Sequence, residues 1–328
     1  MNLSRLAGVA LFASALGALS GALSDARSEE PAPEQPLQLA SLEVSGIAPL
    51  EGGFLLVDDE LVGSVLFLPG AALEAGGRLD VQLVKLLRKR KSSQPHTPLP
   101  RLLAVQDFED VASDGQRTVW LLGSHEGKGG ERRIDREFLV RARWDPQDRE
   151  LEVRSPQDAD GKQGVYTGLV EHLVAGGEEA LTRGLNAEGL AWREGRLWIG
   201  LRGPLSEGQA VLLGVDEEAL FGGGDAPPRF ERRRVDLGGG GVRGLCWDAR
   251  TARLLIVSGP VEDGGDAPYA LWSYDLETQA LSQLERFEGR AAKPEGVCRR
   301  SEGQLALTFE RDEPSGSALR LIPSPGPR

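Results

Sequence analysis

The sequence predicts an all-β fold, a β-propeller of about five blades that each contain three or four antiparallel strands. Five stretches share one pattern: a polar residue, a glycine (once an aspartate), an aliphatic residue and a small residue, then a polar turn and an apolar run. The five stretches begin at Ser45, Glu109, Glu188, Arg243 and Glu295. The chain also holds 43 Gly and 20 Pro, which imply many turns and few long helices. A module of a few strands repeated about five times is typical of a propeller.

The N-terminal segment of the 328-residue chain has the pattern of an export signal. Arg5 precedes an apolar stretch rich in Ala, Leu and Gly, and small residues follow it, which predicts a secretory signal peptide over residues 1–26. The alternative is an uncleaved membrane anchor, because the stretch approaches the ~20 residues of a spanning helix. Residues 27–40 are rich in Pro and Glu and are expected to be a linker. We therefore expect a periplasmic or secreted protein that has no membrane span after cleavage.

Residues 41–323 are expected to form the propeller, and residues 324–328 a disordered tail. Each copy of the pattern continues into short apolar or alternating runs bounded by Gly, Asp and Pro, which predict antiparallel strands. The intervals between copies are 64, 79, 55 and 52 residues, so a sixth blade would fit in the longest. One inserted helix is predicted near residues 166–182, outside the blades. A two-sheet sandwich is the alternative architecture, but it does not explain the repeated opening pattern.

The balance of charges limits the partners of this protein. The net charge is −12, whereas a protein that binds duplex nucleic acid needs an excess of Lys and Arg to neutralise phosphates. The same charge is compatible with binding cations. One dense basic run, "KLLRKRKSS" from Lys85, is interpreted as a solvated loop, with contact to an anionic polymer or a membrane surface as the alternative.

The polar residue that opens each repeat is the first candidate for a functional site. In a propeller the first strand of each blade lines the central channel, so these five side chains are expected to form a ring at the channel mouth. Glu109, Glu188 and Glu295 would repel one another there unless a positive charge compensates them. A hard cation such as Ca²⁺, bound by these three carboxylates, would do so. Alternatively, Arg243 would act as an internal counter-ion and make the ring a structural plug.

Two further residues near the strand ends are candidates for catalysis. Asp58, in "DDE", and His125, in "GSHE", are expected in loops at the channel mouth, where propellers carry their chemistry. His125 would serve as a general base or a ligand. The alternative for both is a solvated loop residue without a catalytic role.

Cys246 and Cys298 occupy the small-residue position of their repeats, which Ala48, Ala112 and Ala191 fill elsewhere. They are interpreted as small buried residues, with a disulfide between adjacent blades as the alternative in an exported protein. The spacing of the cysteines matches no zinc site, and the chain contains no phosphate-binding loop and no G-x-S-x-G elbow of a serine hydrolase.

Several phrases of this chain also resemble a known family. "SGIA", "DFEDVASDG", "AEGLAW", "GRLWIGLRGPL" and "PEGV" occur in the order found in a family of exported bacterial propeller domains of unknown function, and the resemblance runs from about residue 40 to 323. More distantly, the repeated Glu-Gly-aliphatic step is similar to propellers of the esterase-like phytase and gluconolactonase groups. That resemblance implies calcium or another divalent metal held by Glu109, Glu188 and Glu295, and hydrolysis of a phosphate ester or lactone.

Two functions therefore stay open. The first is a calcium-dependent hydrolase of phosphate esters, esters or lactones, in which Ca²⁺ polarises the bound oxygen and His125 or Asp58 acts as base. The second is a non-catalytic propeller of the cell envelope that binds a small molecule or an envelope ligand and contains a Glu/Arg plug. The sequence does not decide between an enzyme and a binding protein, and it gives neither the substrate nor the oligomeric state.

Overall fold

The computed structural model describes ten stretches of the chain, and the structural statements below concern these alone: 35–36, 43–75, 78–87, 105–127, 131–153, 164–224, 226–288, 293–301, 303–310 and 316–324. The predicted signal peptide, most of the predicted linker, most of the basic run and residues 325–328 of the predicted tail lie outside the described residues. In these ten stretches, no helix is both long enough and apolar enough to cross a membrane.

The first two blades form one continuous sheet. Blade one contains β2 (Val44–Leu50), β3 (Gly53–Asp58), β4 (Ser64–Pro69) and β5 (Gln82–Leu87), with the short helix α1 (Gly70–Ala75) between β4 and β5. Blade two contains β6 (Phe108–Ser113), β7 (Thr118–Gly123), β8 (Leu139–Asp145) and β9 (Glu150–Val153), and the two-residue strand β10 (Val165–Tyr166) pairs with β8. Within each blade consecutive strands are antiparallel, and the outermost strands β5 and β9 pair in parallel and join the two blades.

The remaining strands form three separate four-stranded sheets. Blade three contains β11 (Asn186–Arg193), β12 (Arg196–Ser206), β13 (Gln209–Asp216) and β14 (Glu231–Val235). Blade four contains β15 (Gly241–Asp248), β16 (Arg253–Gly259), β17 (Tyr269–Tyr274) and β18 (Leu281–Phe287). Blade five contains β19 (Lys293–Ser301), β20 (Gln304–Glu310) and β21 (Ala318–Pro323), and its outermost strand is β1 (Gln35–Pro36), from within the predicted linker.

The innermost strands of the five blades form a closed ring. Strand β2 contacts β6, β6 contacts β11, β11 contacts β15, β15 contacts β19, and β19 contacts β2 again. Antiparallel pairing of β1 with β21, through Gln35 opposite Leu319 and Pro36 opposite Ala318, adds an N-terminal strand to the C-terminal blade. This arrangement confirms the predicted β-propeller and places each opening residue of the repeats on an innermost strand.

Each blade is buried on both faces, because two neighbouring blades cover it. In β3, Leu55, Leu56 and Val57 are all fully buried, so the strand shows a continuous apolar run. Alternate residues of a strand point to opposite faces. Accordingly Leu55 and Val57 pack in a cluster with residues of blade two, while Leu56 packs in a cluster with residues of blade five.

The predicted helix near residues 166–182 is two short helices in the structure. Helix α2 spans Leu169–Ala175 and α3 spans Glu179–Thr182, with Gly176 and Gly177 between them. Leu169, Leu173 and Leu181 are buried in the same apolar cluster as blade three. A further helix, α4 (Glu217–Phe221), follows β13. The prediction of one continuous helix was wrong, because the two glycines end α2 and separate it from α3.

Candidate functional site

A local irregularity recurs where each innermost strand begins. Pairing between the first two strands of every blade skips the opening polar residue: Ser45, Glu109, Glu188, Arg243 and Glu295 have no partner in the ladder, and a register shift lies at each of them. Such a bulge removes a residue from the ladder and redirects its side chain. The repeated bulge therefore explains why these five side chains leave the sheets and meet at the axis.

The five side chains line one cavity of about 230 Å³ at the mouth of the channel. Among the residues that the structure describes, nine carboxylates and two guanidinium groups line this cavity. The acidic residues are Glu43, Asp59, Asp107, Glu109, Glu126, Glu188, Asp263, Glu295 and Glu310, and the basic ones are Arg202 and Arg243. The cavity is thus strongly acidic, and we call it the channel mouth.

Two of the three predicted ring carboxylates are bound by arginines. The Arg243 Nε donates to Glu295 Oε2 at 2.8 Å, and its Nη2 donates to the other oxygen of the same carboxylate. The Arg243 Nη1 lies 3.5 Å from Glu188 Oε2. Burial acts to lower the pKa of Arg243, but the charges of Glu295 and Glu188 outweigh it and raise the pKa above its ordinary value. Arg243 is therefore a charged counter-ion of the ring.

Arg202 completes this network from the second strand of blade three. Its Nη1 donates to Glu188 Oε1 at 2.9 Å, its Nε donates to the carbonyl oxygen of Pro260 at 3.1 Å, and its Nη2 donates to Asp263 at 2.5 Å. The side-chain amide of Asn186 also donates to Glu188 Oε1, at 3.0 Å. The carboxylate of Glu188 is thus held by two arginines and one amide.

Glu109 has a different environment from the other two glutamates of the ring. In the described part of the chain it makes no hydrogen bond and no ion pair, and the charged groups near it are Glu188, Asp107, Asp59 and Glu295. Burial raises the pKa of Glu109 well above its ordinary value, and these negative neighbours raise it further. Glu109 is therefore the ring carboxylate that lacks a counter-ion among the described residues.

Asp59, directly after β3 in blade one, is a second carboxyl group near Glu109. Burial raises the pKa of Asp59 to about 8, with the charges of Glu43 and Asp58 as the next causes. Its Oδ1 is buried and has no hydrogen-bond partner in the part of the chain that the structure describes. Oxygen atoms of Glu43, Asp59 and Glu60 all lie within 4.8 Å of one another. Grouped carboxylate oxygens are the donors that hard divalent cations prefer.

Asp107 lies beside Glu109, and its negative charge is partly balanced by an arginine. Its carboxylate accepts a hydrogen bond from the hydroxyl of Ser124 and forms an ion pair with Arg136 at 3.2 Å. Its backbone has a φ of 66°, a left-handed conformation that non-glycine residues seldom adopt. Burial nevertheless raises the pKa of Asp107 above its ordinary value. The carboxyl groups of Asp59, Asp107 and Glu109 thus form the side of the mouth with the least compensating positive charge among the described residues.

The two predicted catalytic residues are not among those that line the channel mouth. The buried carboxylate of Asp58 accepts the backbone N–H groups of Glu43 at 2.9 Å and Glu60 at 3.0 Å, so it joins the segment before β2 to the turn after β3. His125 is only 4% exposed, and its Nδ1 lies 2.7 Å from the carbonyl oxygen of Gly123. Burial lowers the pKa of His125 to about 4, so its ring is neutral near pH 7, and its Nε2 has no partner among the described residues.

Both cysteines are free thiols in the structure. Cys298 is buried and Cys246 is partly buried, in the small-residue positions where the repeat places them. Burial raises the pKa of the Cys246 thiol to about 12, so the thiolate needed for reactivity is disfavoured.

The comparison with protein families concerns blades three and four. Residues 179–288 match a family described as protein of unknown function (DUF3616). This DUF3616 segment includes Glu188, Arg202 and Arg243, and therefore most of the arginine network of the channel mouth. A search of curated proteins found no match to the chain.

Several solved structures are similar to this chain at low sequence identity. The PQQ-bound aldose sugar dehydrogenase of Streptomyces coelicolor has a TM-score of 0.41 at 14% identity, and the alignment covers 90% of this chain and 100% of that one. A gluconolactonase of Xanthomonas campestris has a TM-score of 0.41 at 15% identity, covering 90% and 99%. The exo-β-1,3-galactanase of Phanerochaete chrysosporium has a TM-score of 0.49 at 8% identity, covering 89% and 63%. No residue of the channel mouth is carried over from them.

Proposed function

We propose that the channel mouth binds a hard divalent cation, Ca²⁺ in the first place, and that the loaded site hydrolyses an ester, a phosphate ester or a lactone. The observation that carries this proposal is the carboxylate of Glu109, which is surrounded by other carboxylates and lacks a counter-ion among the described residues. Like charges held together in a partly desolvated cavity favour the uptake of protons or of a cation. The proposal includes export of the mature protein to the periplasm or the medium.

Glu109 and Asp59 are the ligands that we assign to this cation, with Glu43 and Glu60 within reach of Asp59. Calcium takes six to eight oxygen ligands in flexible geometry and accepts water in the positions that the protein leaves open. Glu188 and Glu295 were predicted as ligands together with Glu109. In this proposal they serve instead as partners of the arginines, because their oxygens already accept hydrogen bonds from Arg202 and Arg243. The predicted three-glutamate site is thus shifted toward blade one.

The residues around the site suit a hydrolytic role. A bound divalent cation would polarise a substrate oxygen and raise the acidity of water. Asp59, whose pKa is about 8 in the cation-free protein, would release its proton when it binds the cation, so water held by the cation would act as the nucleophile. Arg202 and Arg243 form the opposite side of the mouth, where they limit the repulsion that an anionic substrate would meet. Asp58 and His125 fit the role of bases less well, because other groups line the cavity.

The first test is calcium binding by the purified protein, followed by a screen of esters, phosphate esters and lactones with calcium and with chelator. The variant is Glu109→Gln, which keeps the shape of the side chain and removes its charge. The matched control is Glu310→Gln, because Glu310 lines the same cavity but is paired with Lys293 at 3.1 Å. We expect calcium binding and turnover to be lost in Glu109→Gln and retained in Glu310→Gln. Calcium binding without turnover on any substrate would contradict the hydrolase.

A second function is favoured by the arginine network itself. Arg243 and Arg202 hold Glu295 and Glu188 in a buried set of ion pairs, which is the arrangement expected of a structural plug. In that case the propeller is a non-catalytic protein of the cell envelope that binds a small molecule or an envelope ligand through its loops. This function predicts no calcium binding and no turnover, and it predicts that Glu188→Gln lowers stability without affecting any activity.

A further inference from the structure

Asp110 departs from the repeat, because the other four innermost strands have glycine at its position. Its side chain is 1% exposed and lies near the axis of the propeller, against blade one. A Cβ atom on Gly46, the equivalent residue of blade one, would lie 2.5 Å from Asp110 Oδ1 and 2.8 Å from Asp110 Cα. The carboxylate of Asp110 therefore fits only because Gly46 has no side chain.

The carboxylate of Asp110 binds backbone N–H groups of three blades. Oδ1 accepts the N–H of Val111 at 2.8 Å, and Oδ2 accepts the N–H groups of Leu190 at 2.7 Å and Leu245 at 3.1 Å. The side of an innermost strand that faces the axis has no neighbouring strand, so its N–H groups need another acceptor. Burial raises the pKa of Asp110 well above its ordinary value, and the hydrogen bonds from these three N–H groups act in the opposite direction. Oriented backbone N–H groups of this kind favour the charged carboxylate and form a binding site for an anion.

The three donors have one further property in common. Each follows a residue of the channel mouth by two positions: Val111 follows Glu109, Leu190 follows Glu188, and Leu245 follows Arg243. The carboxylate of Asp110 thus makes hydrogen bonds to the three innermost strands that carry Glu109, Glu188 and Arg243. The position of each ring side chain depends on where its strand is held.

We propose that Asp110 is an internal anion that fills an anion-binding hollow on the propeller axis and thereby positions Glu109, Glu188 and Arg243 at the channel mouth. It is a positioning residue, because it acts through the strands and does not line the mouth. Without its side chain, the hollow would accept a small carboxylate or a halide. The positioning role rests on the proposed function of the mouth, whereas the anion-binding hollow does not.

The test is chemical rescue of Asp110→Gly, which gives blade two the residue that the other four blades have. We expect the melting temperature to fall by about 5 °C or more, since three buried N–H groups lose their acceptor. Sodium formate should restore it in a saturable way, because formate replaces the lost carboxylate. Formamide at the same concentration should not, because it lacks the charge. Calcium affinity should fall in Asp110→Gly and recover with formate.

Two further variants separate this proposal from a general effect of salt or of lost stability. Thr308→Val removes the hydroxyl that accepts the N–H of Gly296 at 2.8 Å, and it leaves no anion hollow, so formate should not rescue it. Asp110→Asn keeps the hollow filled, but it removes the charge and places an NH₂ donor where a carboxylate oxygen accepted a backbone N–H group. It should therefore melt below the wild type without responding to formate.

Distinct results would overturn the proposal. A melting temperature of Asp110→Gly equal to that of the wild type would do so, as would a formate response no larger than that of Thr308→Val. If Asp110→Gly does not fold in any buffer, a melting temperature of Asp110→Asn equal to that of the wild type overturns it. Absence of calcium binding in the wild type, together with formate rescue of Asp110→Gly, contradicts the proposed function alone and leaves the anion hollow in place.

Discussion

Glu109 and Glu295 occupy equivalent positions in the propeller, and burial raises the pKa of both, but they differ in their ionic partners. Glu295 accepts two hydrogen bonds from Arg243, whereas Glu109 faces carboxylates and has no counter-ion among the described residues. Removing the charge of Glu109 should relieve repulsion, and removing the charge of Glu295 should leave a buried arginine with too little compensation. Substitution of these two residues therefore distinguishes the proposed cation ligand, Glu109, from the ion-pair partner of Arg243, Glu295.

Glu295→Gln should destabilise the protein by about 3–5 kcal/mol, because Arg243 would lose its bidentate partner in a buried site. Urea unfolding followed by circular dichroism measures this loss. Glu310→Gln serves as the control, since the pair of Glu310 with Lys293 is partly exposed and contributes about 1 kcal/mol or less. A Glu295→Gln variant as stable as the wild type would show that the arginine network does not hold the ring together.

The repeat pattern predicted which residues form the ring, but it did not predict how their charges are paired. A counter-ion role for Arg243 was one of two alternatives that the sequence left open, because this residue occupies a ring position. Arg202 was missed because it lies on the second strand of blade three, and its contact with Glu188 depends on the register of that hairpin. Asp59 was not predicted as a site residue, although it lies next to Asp58 in "DDE". The burial of its carboxylate follows from neighbouring blades and cannot be read from local sequence.

The innermost strands share a bulge at the polar residue, and four of the five share a close approach at the glycine that follows it. The bulge was not predicted, because one skipped residue does not disturb the apolar pattern of a strand this short. The close approach is tightest between blades four and five. A Cβ atom at Gly244 would lie 2.2 Å from the carbonyl oxygen of Glu295, a backbone atom that cannot move away.

Gly244→Ala should therefore destabilise the protein by about 4 kcal/mol or more, or prevent folding, because two innermost strands would have to separate. The yield of folded protein and its melting temperature measure this effect. The control is Gly303→Ala, since a Cβ atom there has no neighbour within 4 Å. Equal stability of the two variants would contradict the close packing of β15 against β19.

The closed ring explains how the acidic mouth is tolerated by the molecule as a whole. Five blades bury their apolar faces against one another, and the N-terminal strand β1 completes the blade made by the C-terminus. The sequence predicted the repeated blades, because each copy has its own apolar run and turn. It did not predict β1, since a strand of two residues, one of them a proline, carries no periodic signal. Stability from the blades offsets repulsion between the carboxylates of the mouth.

The stability of the calcium-free protein should fall as the pH rises from about 6.5 to 8. The folded-state pKa of Asp59 is about 8 and that of Glu109 is also raised, so the folded protein binds more protons than the unfolded chain in this range. His125 has the opposite effect only below about pH 6.5, because its folded-state pKa is about 4. Thermal melting in chelator across this pH range measures the trend.

Calcium should reverse this trend, because it binds the deprotonated carboxylates. The increase in melting temperature on adding calcium should be larger at pH 8 than at pH 6. A calcium-free protein whose melting temperature rises between pH 6.5 and 8 would contradict the assignment of Asp59 and Glu109 as uncompensated carboxylates.

The most direct test of the account is calorimetric titration of calcium into the wild type, Glu109→Gln and Glu310→Gln at pH 8. We expect saturable binding to the wild type and to Glu310→Gln, no binding to Glu109→Gln, and a calcium-free Glu109→Gln that melts above the calcium-free wild type. Equal calcium binding by Glu109→Gln and the wild type, or no binding by any of the three, would contradict a cation site at the channel mouth.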